Sequence, residues 1–229
     1  MESAEILVAP TALPLWLRPL VDSLAKLPAS EISPLSPPPG IPVRESAVLI
    51  LFSAGTGDGP DVLLIERASD MRSHAGQPAF PGGASEDSDA GPIAVALREA
   101  SEETGLLPEA VTAFATLPRL WIPPSGFAVT PVVGYWHAPS PVAPGNAAEV
   151  AAVHRVTIAE LADPARRVSV RHPTGYVGPG FEVRQMLVWG FTGMLLSRLL
   201  AAGGWERSWE HGRVVGVDSG WRSPDRTPR

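Results

Sequence analysis

Three carboxylates, Glu99, Glu102 and Glu103, stand three and four residues apart in the stretch GGASEDSDAGPIAVALREASEETGL (82–106). On a helix that spacing turns all three to nearly one face, where they repel one another. Arg98 is the only cation near in sequence to offset them. A hard divalent cation, Mg²⁺ or Mn²⁺, would neutralise such a set through oxygen ligands. A bare E-x-x-E-E pattern is more often a solvated acidic face. Here two features favour a site: Gly82-Gly83 offers backbone amides that can approach an anion, and Glu86, Asp87 and Asp89 add three more carboxylates.

A helix must carry this set. Pro92 suits its first turn, Asp89 can cap it, and Gly105 ends it. Ile93, Ala94, Ala96, Leu97 and Ala100 supply its buried side. The apolar runs 47–52 and 61–66, joined by SAGTGDGP, predict a β-hairpin. Strands follow at 127–136, 149–156 and 181–188, with a short helix at IAELAD and a long apolar helix over 189–200, in which Trp189, Met194 and Leu195 read as core. The order predicts an α/β sandwich with a mixed sheet and no internal repeat. Ahead of it, Trp16, Leu17, Leu20, Val21 and Leu24 fall at helical spacing within 13–27 and predict an N-terminal helical arm. Six prolines over 28–43 then give an extended tether. The expected division is therefore 1–43 arm and linker, 44–222 compact domain, and 223–229 a polar, proline-broken tail that is disordered.

Composition narrows the chemistry. The chain has 229 residues, 18 Lys+Arg against 24 Asp+Glu, and no cysteine. Disulfides, Cys-ligated zinc, iron–sulfur clusters and thiol nucleophiles are excluded. A formal net charge of −6 argues against nucleic-acid or membrane-surface binding, which needs a basic footprint. No run approaches the ~20 apolar residues of a membrane span, and the start MESAEILVAP fits no signal or transit peptide. A cytoplasmic enzyme acting on a small molecule is the expectation; the sequence leaves a homodimer open.

The 82–106 stretch resembles the Nudix box, G-x5-E-x7-R-E-U-x-E-E-x-G-U, where U is a bulky aliphatic residue. Gly83, Arg98, Glu99, Glu102, Glu103, Gly105 and Leu106 occupy its places. Two positions depart: Asp89, followed by eight residues before Arg98, stands where the early Glu belongs, and Ala100 replaces the first U. The coenzyme A branch of the family carries the same extra residue and the same R-E-A. Upstream, LLIERASDMRSHAGQPAFPGG (63–83) is similar to that branch's signature, L-L-T-x-R-S-x3-R-x3-G-x3-F-P-G-G, through Leu63, Leu64, Arg67, Arg72, Gly76, Phe80, Pro81, Gly82 and Gly83; Ile65 and Ala68 replace Thr and Ser. Residues 125–136, and Glu149-Val150 with the later Trp189-Gly190, extend the likeness over about 47–200.

The resemblance implies a Nudix-type α/β/α sandwich with a mixed sheet, and metal-dependent hydrolysis of the diphosphate bridge of coenzyme A to 4′-phosphopantetheine and adenosine 3′,5′-bisphosphate. It implies Glu99 and Glu103 as ligands of Mg²⁺ or Mn²⁺, Glu102 as a further ligand or the base, and the Gly82-Gly83 backbone as support for the diphosphate. Arg98 would orient these carboxylates, and Glu149 lies where Nudix enzymes often supply another one, though a solvent-exposed strand end reads equally well. Arg67 and Arg72 could fork onto a diphosphate or a 3′-phosphate, or serve as surface or intramolecular partners. His74 reads as a loop hydrogen-bonder. Two alternatives compete: a Nudix hydrolase of ADP-ribose or another nucleoside diphosphate derivative, disfavoured by the upstream signature, and a catalytically silent nucleotide-sensing module, disfavoured because the box carboxylates are all present.

Overall fold

The computed structural model of the chain describes residues 4–26, 28, 43–69, 76–122 and 126–217. Its central strand, β2 (Arg44–Ser53), follows a short edge strand, β1 (Glu5–Ile6), and a helix, α1 (Arg18–Leu24). β2 is apolar on both faces for a reason the packing makes plain: Ala47, Leu49 and Leu51 enter one buried cluster, while Ile50 and Phe52 enter another. A strand buried on both sides reads as a continuous apolar run, as parallel strands do. Its partner is indeed parallel, β8 (Phe127–Trp136), paired from Arg44↔Phe127 to Ser53↔Trp136.

The remaining strands flank this pair. On one side lie β6 (Val111–Thr116), β1 at the edge, and β7 (Leu120–Ile122), which pairs with β8. On the other lie β3 (Asp61–Arg67), β4 (Pro78–Ala79), β5 (Gly82–Ala84) and β9 (Val150–Thr157). The predicted hairpin of 47–52 with 61–66 exists only at its turn end, Phe52↔Val62 and Ser53↔Asp61. Beyond it the strands diverge: β3 pairs with β9, and β5 takes the edge of β2 at Ser46, Ala47 and Val48.

Helix α2 (Pro92–Thr104) covers one face of the sheet through Val95, Ala96 and Ala100. The opposite face is covered by α1 and by α4 (Gly190–Ala202), which follows α3 (Ile158–Ala162) in the chain. This is the expected α/β/α sandwich. Leu17, Leu20, Val21 and Leu24 of the N-terminal segment share the cluster of Leu195, Leu196 and Leu199. The helix there is shorter than the predicted 13–27, with Pro19 in its first turn. A second sheet, in the order β12 (Met186–Val188), β11 (Val177–Val183), β10 (Arg167–Arg171) and β13 (Val214–Gly216), packs beside α4. It corrects the expectation of one strand at 181–188. Arg184 and Gln185 both take positive φ, 49° and 61°, and fold that run into a hairpin that closes at Val183↔Met186.

Candidate active site

The acidic helix starts and stops for local reasons. Pro92 sits in its first turn, and Gly105, left-handed at φ 71°, ends it by donating its N–H to the Ser101 carbonyl at 2.8 Å. The cap is not the expected Asp89: Gly91 holds the N-cap position and no side chain caps the helix. Asp89 is drawn away because it accepts the Glu86 N–H at 2.9 Å and two bonds from Arg98, at 3.2 and 3.1 Å.

Small residues on the inner side of α2 bring the helix close to β5, and that closeness separates the three glutamates. Glu103 is 6% exposed, and its Oε2 accepts the Gly82 N–H at 2.9 Å. The Gly82 amide is thus directed at an anion of the chain itself, and is not a free donor for a ligand. Glu99 lies half-buried across β5, where a Cβ at Gly83 would overlap its carboxylate; only glycine leaves that space. Glu102, its side chain 60% exposed, points to solvent. The shared face predicted from spacing is therefore graded from buried to open.

Arg98 serves these carboxylates and little else. Besides Asp89, it donates to the Ala84 carbonyl at 3.0 Å, to Glu99 at 3.0 Å and to Glu102 at 3.4 Å, with Glu86 4.0 Å away. Every nitrogen of the guanidinium is committed within the chain, the arrangement of a group that orients others. These bonds, that to Asp89 foremost, hold it charged far above any working pH.

Electrostatics mark Glu103 as the strained member. Its carboxyl is pushed up to about 7, by burial foremost and by the charges of Glu99 and Glu149, against the downward pull of the Gly82 N–H and the charge of Arg67. Glu99 is also raised, by burial first, against the pull of Arg98. Glu149, just ahead of β9, thus contributes its charge to both. Arg67, at the end of β3, is near enough to act on Glu103, and its Nε is buried without a hydrogen-bond partner among the described residues. Arg72 and His74 lie outside the described residues.

The donor set is all carboxylate oxygen, which suits a hard divalent cation. A buried carboxyl raised to about 7 among like charges is the group such a cation would relieve. Among the described residues no group of three or more acidic or histidine side chains is gathered closely enough to hold a metal ion as it stands. None of the described helices is long and apolar enough to cross a membrane.

The sequence model of the NUDIX domain matches residues 43–174, more than half of the chain. Two similar proteins are Nudix hydrolases NudL whose activity is uncharacterized: one from Enterobacter sp. (strain 638), 40% identical over 169 residues, and one from Cronobacter sakazakii, 43% identical over 165 residues. Each match spans 68% of this chain and 81% of the relative. Among solved structures, the Nudix hydrolase RenU of M. smegmatis superposes with a TM-score of 0.51 at 20% identity, over 73% of this chain and 90% of that one, a likeness of fold. With the box residues on α2, the matching domain and relatives at this identity, the chain belongs to the Nudix hydrolase family.

Proposed function

We propose that this protein hydrolyses the diphosphate bridge of coenzyme A and its derivatives, giving 4′-phosphopantetheine and adenosine 3′,5′-bisphosphate. The observation that carries the reading is Glu103, a buried carboxylate beside Glu99 and Arg67, with the Arg67 Nε unpaired among the described residues. Such a place takes a cation on its acidic side and a phosphate on its basic side. The choice of coenzyme A rests on the 63–83 signature, from Leu63 and Leu64 through Arg67 to Gly83.

Glu99 and Glu103 would hold Mg²⁺ or Mn²⁺, with Glu102 as a further ligand or as the base. The bound cation supplies charge neutralisation of the phosphates and a more acidic water. The chain does the rest. Gly82 fixes the Glu103 carboxylate, Gly83 leaves room for Glu99, and Arg98 keeps Glu99 and Glu102 oriented. Arg67 neutralises a phosphate oxygen of the bridge; where Glu102 is the base, its exposed carboxylate takes the proton of the attacking water, whose oxygen bonds to one phosphorus as the bridging P–O bond breaks and the other phosphate leaves. Adenosine diphosphate is common to coenzyme A and ADP-ribose, so discrimination must come from the 3′-phosphate and the pantetheine arm. With Arg67 beside Glu103 and the bridge, Arg72 is the candidate for the former.

The test is kcat/KM of the purified chain, with Mg²⁺ or Mn²⁺, on coenzyme A and ADP-ribose. Coenzyme A is expected to be the better substrate; ADP-ribose processed as well or better overturns the reading. Arg72→Ala is expected to cost coenzyme A about one to two decades of kcat/KM, the worth of a charge-assisted bond, and 3′-dephospho-coenzyme A much less.

A further inference from the structure

The last turn of a helix leaves carbonyls that its own backbone cannot satisfy. In α2 two of them are satisfied from outside: the Glu103 carbonyl accepts the N–H of Gly145 at 3.0 Å, and that of Thr104 accepts the N–H of Ala143, also at 3.0 Å. Both donors belong to PSPVAPGNAAEV (139–150), where Pro139, Pro141 and Pro144 lack an N–H and stiffen the chain. The approach is so close that a Cβ at Gly145 would overlap the backbone carbonyl oxygen of Glu102. No rotamer relieves a backbone overlap; the loop would have to move.

From Gly145 the chain runs to Glu149 without slack. The Asn146 side chain accepts the Ala148 N–H at 3.0 Å, and its carbonyl accepts Glu149 N–H at 3.0 Å and Val150 N–H at 2.9 Å. The Glu149 carbonyl in turn accepts the Ala68 N–H at 2.8 Å, one residue past Arg67. A continuous set of hydrogen bonds thus ties the end of the acidic helix to the residue that brings a further carboxylate to the site.

We propose that Gly145 is a positioning residue, whose docking on the C-terminus of α2 sets where Glu149 stands relative to Glu99 and Glu103. The inference rests on the reading of this site as a diphosphate hydrolase. Capping alone would need only an N–H; the overlap with Glu102 is what demands glycine.

The test is a double-mutant cycle on the full chain, using the diphosphate compound that the wild type turns over: Gly145→Ala, Glu149→Gln and both together. A misplacement of about 1 Å can cost on the order of a hundredfold, so Gly145→Ala is expected to lower kcat by about tenfold to a hundredfold with KM little changed. In the Glu149→Gln background it should add less than about twofold, because the carboxylate that it misplaces is already gone. Losses that multiply, or a Gly145→Ala kcat within about twofold of wild type, overturn the inference. Pro144→Gly, which loosens the loop without a clash, is to show a smaller loss with the same dependence on Glu149, and serves if Gly145→Ala does not fold. Hydrogen exchange separates this idea from the reading beneath it. The amides of Ala143 and Gly145 are expected to be protected in the wild type and in Glu149→Gln but not in Pro144→Gly; free exchange in the wild type sinks the docking whatever the activity. A wild type that cleaves no diphosphate while these amides are protected sinks the function and leaves the docking standing.

Discussion

Helices α2 and α4 have thirteen residues each and cover opposite faces of one sheet, yet their inner surfaces are built from different material. α4 buries Leu195, Leu196, Leu199 and Leu200. α2 buries Val95, Ala96 and Ala100, and with them Glu103. A fully buried leucine contributes about 1.5–3 kcal/mol, and an alanine much less, so the stabilising burial is concentrated on the α4 side. Small residues on the α2 side let the helix settle against β5, and that closeness desolvates Glu103 and presses Glu99 over Gly83. One face holds the fold together; the other holds a carboxylate at a cost that a bound cation can offset.

The strongest way to break this contrast is Glu103→Gln. Turnover is expected to fall by more than about a hundredfold, beyond the 10–100-fold that loss of an outer-shell partner costs, while the fold is kept because the amide oxygen can still accept the Gly82 N–H. The effect on stability should have the opposite sign. In cation-free buffer the folded wild type keeps a proton on Glu103 that the unfolded chain has released, so stability falls as pH rises from 4.5 through about 7. The whole loss is on the order of 3 kcal/mol. Glu103→Gln removes it, so the variant should melt higher than wild type at pH 8 without metal. Near wild-type turnover would sink the metal assignment.

On the other face, Leu195→Ala should cost about 2–5 kcal/mol of stability and leave kcat per folded molecule unchanged, because Leu195 is buried in the core cluster of that side. Thermal melts and active-site-normalised rates check it. A kcat that falls with Tm would show that the two faces are coupled through the sheet. Ala100→Leu, the same kind of probe on the α2 side, should cost about 1–3 kcal/mol by overpacking. Unlike Leu195→Ala it should also lower kcat, since it lifts Glu99 and Glu103 away from β5. If it destabilises without touching the rate, the close approach of α2 is not what shapes the site.

The same contrast explains what could be read from the sequence. The β8 range 127–136 was legible because its apolar residues fill the sheet between two clusters, and the end of α2 because Gly105 adopts the left-handed conformation that a helix stop favours. The 181–188 run read as one strand because neither Arg184 nor Gln185 advertises a turn, although both take positive φ. Sheet neighbours far apart in sequence, such as β10 and β13, left no local signal. At the site, spacing gave the carboxylates a common face but could not give their grading, since the burial of Glu103 and the exposure of Glu102 depend on how α2 leans on β5. Asp89 read as a cap because loop closure onto Arg98, nine residues on, has no sequence signature.

Asp89 gives the smallest and most discriminating probe, because its pH dependence runs opposite to that of Glu103. The Arg98 guanidinium, and then the Glu86 N–H, hold its carboxyl below the ordinary value of 3.8. A depressed carboxyl contributes stability that is fully present above that value and lost as pH falls through the folded one. Asp89→Asn should therefore be slightly less stable than wild type at pH 7 and converge with it in strong acid, where Glu103→Gln confers no advantage either. Its kcat should fall by about tenfold, the low end of the loss for an outer-shell partner, as Arg98 loses its anchor and turns toward Glu99 and Glu102. Denaturant melts in cation-free buffer at pH 7 and pH 2, with rates at pH 7, measure both effects. Equal destabilisation at the two pH values would mean that Asp89 acts through its shape and not its charge. A rate loss as deep as that of Glu103→Gln would place Asp89 among the groups that meet the substrate or its cation, and the division between the carboxylates that face the chemistry and the one that steadies Arg98 would fall.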